Sequence, residues 1–418
     1  MKYEYIAKID PAVAEVIAAE EKRQKEGIEL IPSENYVSGA VLEALGSVMT
    51  NKYSEGYVGK RYYGGQENTD KIEQLAIDRA KEIFRAEHVN VQPLSGAPAN
   101  IAVYFALLEA GDTVLGMDLS HGGHLTHGHP VTKMAKLYNF VRYGMKDIAT
   151  GEIDYDALRE TALKEKPKII LAGFSAYPRE IDYAKIKSIA DEVGAITMMD
   201  AAHIAGLIAG GVLRNPFDDG FDIVTTTTHK TLRGPRGGMI MCRQQFAEKI
   251  DKAVFPGFQG GPHMNNIAAK AVAFLEALQP EFKKYSQQIL LNAQVLATAL
   301  QEHGAKLITG GTSNHLLLVD VVSSWNVTGK QAQELLDTVG ITLNMNMIAG
   351  DTRSPLDPSG IRLGTPAITT RGAKEEDMKK IATWIAQTLM NPEDKALHEK
   401  IKQEVRTFSL QFPVPGIN

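Results

Sequence analysis

The chain has 418 residues, more than one compact core usually organises, so two domains are expected. With 44% apolar and 23% charged residues, its composition is that of a folded globular protein and excludes a mainly disordered chain. The net charge of −5 gives no reason to expect nucleic acid as a partner.

The first predicted element is an N-terminal helix. Asp10 can cap it and Pro11 suits its first turn, so we expect it to run to about Glu26 and to end at Gly27. From about residue 70 to residue 280, helical patterns then alternate with short apolar segments. We predict strands over 113–117, 168–172, 195–199 and 221–224, and helices such as 98–110 and 183–193. This alternation is typical of a mostly parallel sheet whose ligands bind at the carboxyl ends of the strands.

The pattern changes after residue 280. A long helix over about 281–304 is followed by apolar segments at 307–309 and 315–319, a helix near 329–339, a strand at 361–363 and two terminal helices. The sequence therefore predicts an α/β protein with three parts. These are an N-terminal helical arm (1–27), a large domain (28–280) and a smaller C-terminal α/β domain (281–418).

The cysteine content and the apolar stretches of the sequence indicate where in the cell the protein is expected. Cys242 is the only cysteine, so no intrachain disulfide can form, and we expect it to be a core residue rather than a nucleophile. The N-terminal residues have no apolar stretch of signal-peptide length, and runs such as 316–319 are far too short to cross a membrane. We therefore expect a cytoplasmic protein without a membrane partner.

Two ionisable residues follow neighbouring predicted strands. Lys230 comes after an apolar segment and a run of threonines, and Asp200 comes after the segment 195–199. A lysine there can form a Schiff base with an aldehyde, and a carboxylate can keep a pyridine nitrogen protonated. Taken singly, such a lysine is usually a solvated charge and such an aspartate a helix N-cap. Together they indicate a site for pyridoxal 5′-phosphate (PLP).

The segment 94–100 precedes an apolar helix. Ser95 can cap that helix, Gly96 lets the backbone approach a ligand, and Pro98 suits the first turn. The free N–H groups at the helix start can bind an anion, here the cofactor phosphate. An ordinary helix cap is the alternative.

Four histidines alternate with glycines over residues 121–129. They could suggest a metal site, but glycines give no rigid scaffold for ligand geometry and no Cys or Asp adjoins them in the sequence. We expect no metal here. An imidazole stacked on a cofactor ring suits the segment better.

The segment 51–65 combines tyrosines, glycines and a central carboxylate, Glu55. Tyrosine hydroxyls can bind phosphate or carboxylate, and Glu55 can move a proton. A Gly/Tyr loop packed at a subunit interface is the alternative, and both can hold.

Arg362 lies in a short apolar strand between glycines, where a buried guanidinium needs an anion. That anion is either a substrate carboxylate or an internal Asp or Glu.

Taken together, these motifs resemble those of the serine hydroxymethyltransferase (glycine hydroxymethyltransferase) family. The similarity covers nearly the whole chain and follows the family's order. It also includes IPSEN at 31–35, SAYPR at 175–179 and FPGFQGGPH at 255–263. One departure is Met345, which stands where the family commonly has lysine. The resemblance implies the fold-type I PLP architecture, like that of aspartate aminotransferase, and a homodimer with shared active sites.

The resemblance also implies roles for cofactor-binding residues. Lys230 would carry PLP covalently, Asp200 would pair with the pyridine nitrogen, and His124 would stack on the ring. The ring hydroxyl would contact Ser175 and His203. The phosphate would be surrounded by Ser95, Gly96, Ala97 and His229, and by Tyr53, Gly260 and Gly261 of the partner subunit.

Substrate-binding and catalytic roles follow in the same way. The substrate carboxylate would be held by Ser33, Tyr63, His203 and Arg362, with Tyr53 and Glu55 also at the substrate. Glu55 and Tyr62 would act near the serine hydroxyl and the pteridine, which makes them catalytic residues beside Lys230, Asp200 and His203. The tetrahydrofolate site would be lined by Leu119, Gly123, Leu125 and Asn346.

The implied reaction is reversible transfer of the serine hydroxymethyl group to tetrahydrofolate, giving glycine and 5,10-methylenetetrahydrofolate through a PLP external aldimine. A folate-independent PLP aldolase acting on threonine-like β-hydroxy amino acids would break the same bond. The folate-lining residues and Glu55 favour the transferase. A catalytically silent binding module is a further alternative, against which Lys230, Asp200 and Arg362 argue.

Overall fold

The computed structural model describes residues 3–417. Residues 1, 2 and 418 lie outside this range, and the first two belong to the predicted arm. The N-terminal helix runs from Pro11 to Glu26 as predicted, and the Asp10 carboxylate accepts a hydrogen bond from the Val13 amide. Among the described helices, none is long and apolar enough to cross a membrane.

The described part of the chain alternates helices and strands. The α-helices are α1 (Glu4–Ile9), α2 (Pro11–Glu26), α3 (Gly39–Leu45), α4 (Glu67–Phe84), α5 (Gly96–Leu107), α6 (Tyr155–Glu165), α7 (Tyr183–Val193), α8 (Ala205–Ala209), α9 (Ala247–Lys252), α10 (Met264–Ala277), α11 (Pro280–Glu302), α12 (Val321–Trp325), α13 (Gly329–Thr338), α14 (Pro366–Thr370), α15 (Glu375–Met390) and α16 (Lys395–Ser409). The strands are β1 (Ile28–Glu29), β2 (Gly56–Tyr57), β3 (Lys60–Arg61), β4 (His88–Asn90), β5 (Thr113–Met117), β6 (Asn139–Tyr143), β7 (Met145–Asp147), β8 (Glu152–Ile153), β9 (Ile169–Gly173), β10 (Ile196–Asp200), β11 (Ile223–Thr227), β12 (Gly238–Cys242), β13 (Lys306–Leu307), β14 (Leu316–Asp320), β15 (Ile341–Thr342), β16 (Asn344–Asn346) and β17 (Gly360–Gly364).

A seven-stranded sheet in the order β4-β12-β11-β10-β9-β5-β6 organises the large domain. Only β12 runs antiparallel to its neighbours, so the prediction of a mostly parallel sheet is confirmed. Alternate residues of β10 face two different cores: Met199 packs on one side of the sheet and Met198 on the other. Because both faces are covered, β5, β9 and β12 are almost continuously apolar.

Most predicted elements are present, with small shifts at their ends. The strands β5, β9, β10 and β11 match the four predicted ones to within three residues. The sequence did not predict β4, β6 or β12. Helix α5 begins two residues earlier than expected, at Gly96, and β14 lies one residue later than predicted. The segment predicted at 307–309 is only partly extended, because Thr309 adopts a positive φ of 64°.

A smaller four-stranded antiparallel sheet, in the order β13-β14-β17-β16, lies in the C-terminal region. Its core also takes in Ile28 and Leu30, because β1 pairs in parallel with β15. Helix α11 contributes Phe282 to the large core and Leu296 to the small one. The predicted division at residue 280 remains a proposal, and α11 begins at that point.

Candidate active site

A cavity of about 330 Å³ lies at the carboxyl ends of β9, β10 and β11, between the two sheets. Strand β17 of the smaller sheet supplies Arg362 to it. The cavity brings together many residues that are distant in sequence. Its lining consists of Ser33, Glu34, Ser95, Gly96, Ala97, His124, Phe174, Ser175, Asp200, Ala202, His203, Thr227, His229, Lys230, Arg236 and Arg362.

Asp200, the last residue of β10, is buried and held by two side chains. Its Oδ2 accepts hydrogen bonds from Asn100 Nδ2 at 2.8 Å and from His127 Nε2 at 3.1 Å. Burial alone would raise the pKa of Asp200, but the hydrogen bonds and the neighbouring His124 outweigh it and hold the pKa below its ordinary value. The carboxylate therefore stays ionised at neutral pH.

In three dimensions an acidic side chain does join the histidines, contrary to the expectation from the sequence. Donor atoms of His124, His127 and Asp200 lie within 4.8 Å of one another. However, His127 Nδ1 accepts from the His124 amide at 3.1 Å, so its Nε2 carries the proton that is donated to Asp200. In this tautomer the His127 ring has no lone pair facing the carboxylate with which to bind a metal ion. The absence of a metal stays a prediction.

Lys230 follows β11 by three residues and borders the cavity. Burial lowers its pKa to about 8, while the charge of Asp200 acts in the opposite direction. The Asn35 side chain donates to the Lys230 carbonyl at 2.9 Å and fixes the backbone there. A larger fraction of this amine is thus neutral near pH 7 than for an ordinary lysine, which favours nucleophilic attack on an aldehyde.

Arg362 is only 9% exposed, and burial lowers its pKa to about 10. Its Nη1 donates to Ser175, at 2.6 Å to the carbonyl and 3.1 Å to the hydroxyl, and its Nε donates to Asn344 at 3.1 Å. Within residues 3–417, Arg362 forms no ion pair with a carboxylate, so the internal salt bridge considered above is not made. A buried guanidinium with only neutral partners suits an external anion.

His203 lines the same cavity as Lys230 and Arg362. It is 2% exposed, and its ring stacks on that of His315 with centroids 5.4 Å apart. Burial, followed by the charges of Lys230 and Arg362, holds its pKa well below the usual range. His203 is therefore a neutral imidazole at physiological pH.

The start of α5 borders the cavity through Ser95, Gly96 and Ala97. The expected capping bond of Ser95 is absent: Ser95 occupies the N-cap position of α5, but its side chain makes no capping bond and the residue lines the cavity. A Cβ added at Gly96 would lie 2.8 Å from Thr227 Cγ2, so glycine is needed for this close packing. The free amides at the start of a 12-residue helix suit an anionic group.

The tyrosine-rich segment forms a separate, exposed cluster that we call the tyrosine patch: Tyr53, Glu55, Tyr62, Tyr63, Gly260 and Gly261. Tyr53 packs edge-on against Tyr63, with centroids 5.3 Å apart, and donates to Glu55 at 3.2 Å. A Cβ at Gly261 would lie 3.4 Å from the Tyr53 ring. Tyr53, Tyr62 and Tyr63 are 57%, 72% and 50% exposed. None of the patch residues lines the Lys230 cavity of its own chain.

The four residues expected at the folate site also lie outside the cavity lining. Leu119, Gly123 and Leu125 belong to one loop, which is joined to Ser175 because the Ser175 amide donates to the Gly122 carbonyl at 2.7 Å. Asn346 ends β16, the strand that pairs with β17 beside Arg362. The loop and the strand therefore both adjoin the Ser175–Arg362 side of the cavity.

The model of the family described as serine hydroxymethyltransferase matches residues 6–385 of the chain. The chain belongs to the serine hydroxymethyltransferase family. Members are fold-type I, PLP-dependent transferases that interconvert serine and glycine with folate as one-carbon carrier, so the resemblance and the fold class expected from the sequence are confirmed.

The donors in the cavity suit the cofactor of the serine hydroxymethyltransferase family. PLP needs an amine for its aldehyde, an anion for its pyridinium and positive or N–H groups for its phosphate. Lys230, Asp200 and the start of α5 offer these three in one cavity. Arg236 also lines it and adds a third cationic side chain to Lys230 and Arg362.

Several residues of the site were not found from the sequence. Asn100 and His127 hydrogen-bond to Asp200, and His315 stacks on His203. Arg236 borders the cavity, and Asn344 accepts a hydrogen bond from Arg362. Only His127 and Arg236 carried a signal, since they lie inside the histidine and lysine motifs. The other three contacts join residues at least 18 positions apart, beyond the reach of local patterns.

Proposed function

We propose that this chain transfers the hydroxymethyl group of serine reversibly to tetrahydrofolate, giving glycine and 5,10-methylenetetrahydrofolate. One observation carries the proposal: Asp200 at the end of β10, Arg362 on β17 and Lys230 in the segment after β11 converge on one cavity. These supply the three attachment points that an amino acid bound to PLP requires, one for the aldehyde, one for the ring nitrogen and one for the carboxylate.

The residues proposed to hold PLP follow from their chemistry. Lys230 would bind it covalently and Asp200 would hold the proton on the pyridine nitrogen. His124 would cover the ring, and burial lowers its pKa to about 4, so it would do so as a neutral imidazole. Ser175 and His203 would contact the ring hydroxyl. The phosphate contacts would come from Ser95, Gly96, Ala97 and His229, with Tyr53, Gly260 and Gly261 of the partner subunit.

When bound, PLP supplies an electron sink for the charge left on the amino acid as its Cα–Cβ bond breaks. Asp200 supports this chemistry by staying ionised, since its pKa is held low by His127 and Asn100. The pKa of Lys230, near 8, lets the amine accept or release a proton near neutral pH.

Arg362 would orient serine by a paired hydrogen bond to the substrate carboxylate, with Ser33, Tyr63 and His203 beside it. Its partners Ser175 and Asn344 leave the guanidinium without a competing carboxylate. Glu55 would move the proton of the serine hydroxyl, and Tyr62 would lie beside it near the pteridine.

Tetrahydrofolate would bind along Leu119, Gly123, Leu125 and Asn346. Leu125 is 45% exposed, which supports a role for it at an open site. Met345 replaces a lysine common in the family, and its half-buried side chain can pack on an apolar part of the pterin.

A homodimer would complete the site, because the tyrosine patch lies outside the cavity of its own chain. Exposed apolar side chains adjoin the patch: Phe258 stacks on Phe105, and the two are 44% and 47% exposed. Such a surface suits burial against a second copy. The buried single cysteine, Cys242, supports the proposed cytoplasmic location.

Serine cleavage measured with and without tetrahydrofolate tests the proposal. We expect strong stimulation by tetrahydrofolate and little by tetrahydromethanopterin. A preference for tetrahydromethanopterin would mean that it, and not tetrahydrofolate, is the one-carbon carrier. Serine cleavage that neither pterin stimulates would favour the PLP aldolase. In both cases the roles of Lys230 and Arg362 would stand.

A further inference from the structure

Lys270 on α10 is a buried lysine that the proposed reaction does not use. It is 1% exposed, and its ammonium donates to three backbone carbonyls. The acceptors are Val91 at 2.6 Å, Pro93 at 3.2 Å and Gly238 at 2.8 Å. Three donors meet three acceptors, so the hydrogen-bonding capacity of the ammonium is filled.

These carbonyls mark the place where two strands separate. The ladder between β4 and β12 ends with the pair Asn90 and Ile240. Beyond it the chain turns towards the cavity, and one backbone bond, from Gly238 to Pro93 at 3.0 Å, remains between the two segments. Lys270 lies in this gap and joins both sides of it.

The segment held by Lys270 leads directly to the anion-binding end of α5. Pro93 precedes Ser95 by two residues, and a Cβ at Gly238 would lie 2.5 Å from the Ser95 carbonyl, so Gly238 and Ser95 are in close contact. On the opposite side, Gln259 accepts from the Leu94 amide and donates to the Gln92 carbonyl, both at 3.0 Å. The segment 91–95 is therefore held from two sides.

Space filling alone does not explain why a lysine is used. Burying an ammonium is costly, and no carboxylate hydrogen-bonds to it among the described residues. Glu73 is the acidic group nearby, and it is paired with Arg61. An apolar residue of similar size would fill the space without that cost, but it could not tie three carbonyls together.

We propose that Lys270 is a positioning residue that holds the segment 91–97 against Gly238 and thereby shapes the binding site for the phosphate of the cofactor. The inference rests on the proposed PLP chemistry and deepens it. Lys270 acts through the backbone of Pro93, Ser95 and Gly238 and does not itself touch the cofactor.

The test compares PLP with pyridoxal, which has the same aldehyde and ring but no phosphate. Each is titrated into full-length apoprotein, and binding is followed by the absorbance of the lysine-bound form. In Lys270→Met, the Kd for PLP should rise about tenfold, a size typical of removing a supporting partner behind a binding site. The Kd for pyridoxal should change less than about twofold, and Lys270→Arg should recover part of the loss.

Phe274→Leu is the matched control, because Phe274 lies one turn further along α10, is buried in the core and has no side-chain group that could hydrogen-bond to the segment. It should lower thermal stability and leave both Kd values unchanged. If Lys270→Met does not fold, Gln259→Leu decides, since Gln259 holds the same segment and its loss should weaken PLP binding more than pyridoxal binding.

If Lys270→Met weakens the binding of PLP and of pyridoxal equally, or changes neither Kd, the inference is overturned. The proposed function would stand in that case, as long as the unchanged protein binds PLP. A failure of the unchanged protein to bind PLP at all would overturn both.

Discussion

The Lys230 cavity and the tyrosine patch differ in how far one chain builds them. In the cavity, two charged side chains already have partners: Asp200 accepts from Asn100 and His127, and Arg362 donates to Ser175. In the patch, the Tyr53 hydroxyl donates to Glu55, and Tyr53, Tyr62 and Tyr63 are at least half exposed. One chain thus arranges the groups proposed for the cofactor ring and for the substrate carboxylate. The patch lies outside that cavity, and in the proposed function a second subunit brings it to the site.

The largest expected effect concerns the cavity. Lys230→Gln should reduce serine cleavage by about a thousandfold or more, because a neutral amide cannot form a Schiff base. PLP can still bind noncovalently, since Asp200 and the start of α5 are unchanged. Steady-state kinetics and the visible absorbance of the protein measure the two effects separately. Near-normal turnover in this variant would remove Lys230 from the mechanism.

The next effect concerns substrate binding. Arg362→Ala should raise the serine KM by about a hundredfold, because it removes a charge-assisted pair from a buried site. PLP binding should be retained. Arg362→Lys keeps the charge but lacks the planar guanidinium, so its serine KM should lie between that of the unchanged protein and that of Arg362→Ala. An unchanged serine KM would mean that Arg362 serves only to hold Ser175 and Asn344.

The pH dependence of cofactor capture sharpens the account of the cavity. Because the pKa of Lys230 lies near 8, the neutral amine becomes scarcer below that pH. The rate of PLP capture by apoprotein should therefore rise about tenfold per pH unit below 8 and level off above it. Stopped-flow absorbance measures this rate. A rate that keeps rising up to pH 10 would assign Lys230 an ordinary pKa.

Subunit mixing tests the other half of the comparison. Lys230→Gln and Tyr53→Ala should each be nearly inactive, but a heterodimer of the two would contain one site with both residues intact. Random exchange of equal amounts should therefore restore about a quarter of the original activity. Exchange itself can be verified by mass spectrometry. Proven exchange without recovery would place Tyr53 in the site of its own chain.

The smallest effect is expected at the edge of the proposed folate site. Met345→Lys should lower the tetrahydrofolate KM roughly two- to threefold at low salt, because an exposed cation attracts an anionic folate tail only weakly. The gain should disappear at high salt, since ions screen such an attraction. Met345→Leu keeps the site apolar and serves as the control. A salt-independent gain would point to packing instead of charge.

The sequence predicted the ends of the strands better than the contacts made there. Periodicity was enough to place Asp200 and Lys230 at neighbouring strand ends, because parallel strands present their carboxyl ends on one side of the sheet. It could not reveal that Asn100 fixes Asp200, since these residues are 100 positions apart. The capping bond expected of Ser95 is absent, and a local pattern could not show this because it does not reveal that a residue borders a cavity.

Strand β12 illustrates the same limit. Its residues are apolar on both faces, and Met239 and Ile240 pack in different cores. Such a run is compatible with a buried helix turn or a strand until its neighbours are known. Its antiparallel direction, and the gap that Lys270 fills, depend on pairing with β4 and could only be seen in the fold.

Borohydride reduction of the holoprotein, followed by peptide mapping, tests the central claim most directly. Reduction converts a Schiff base into a stable bond and marks the lysine that carried PLP. The account predicts a single pyridoxyl group on Lys230. A label on another lysine, including the buried Lys270, or no label on a protein that contains PLP, would contradict it.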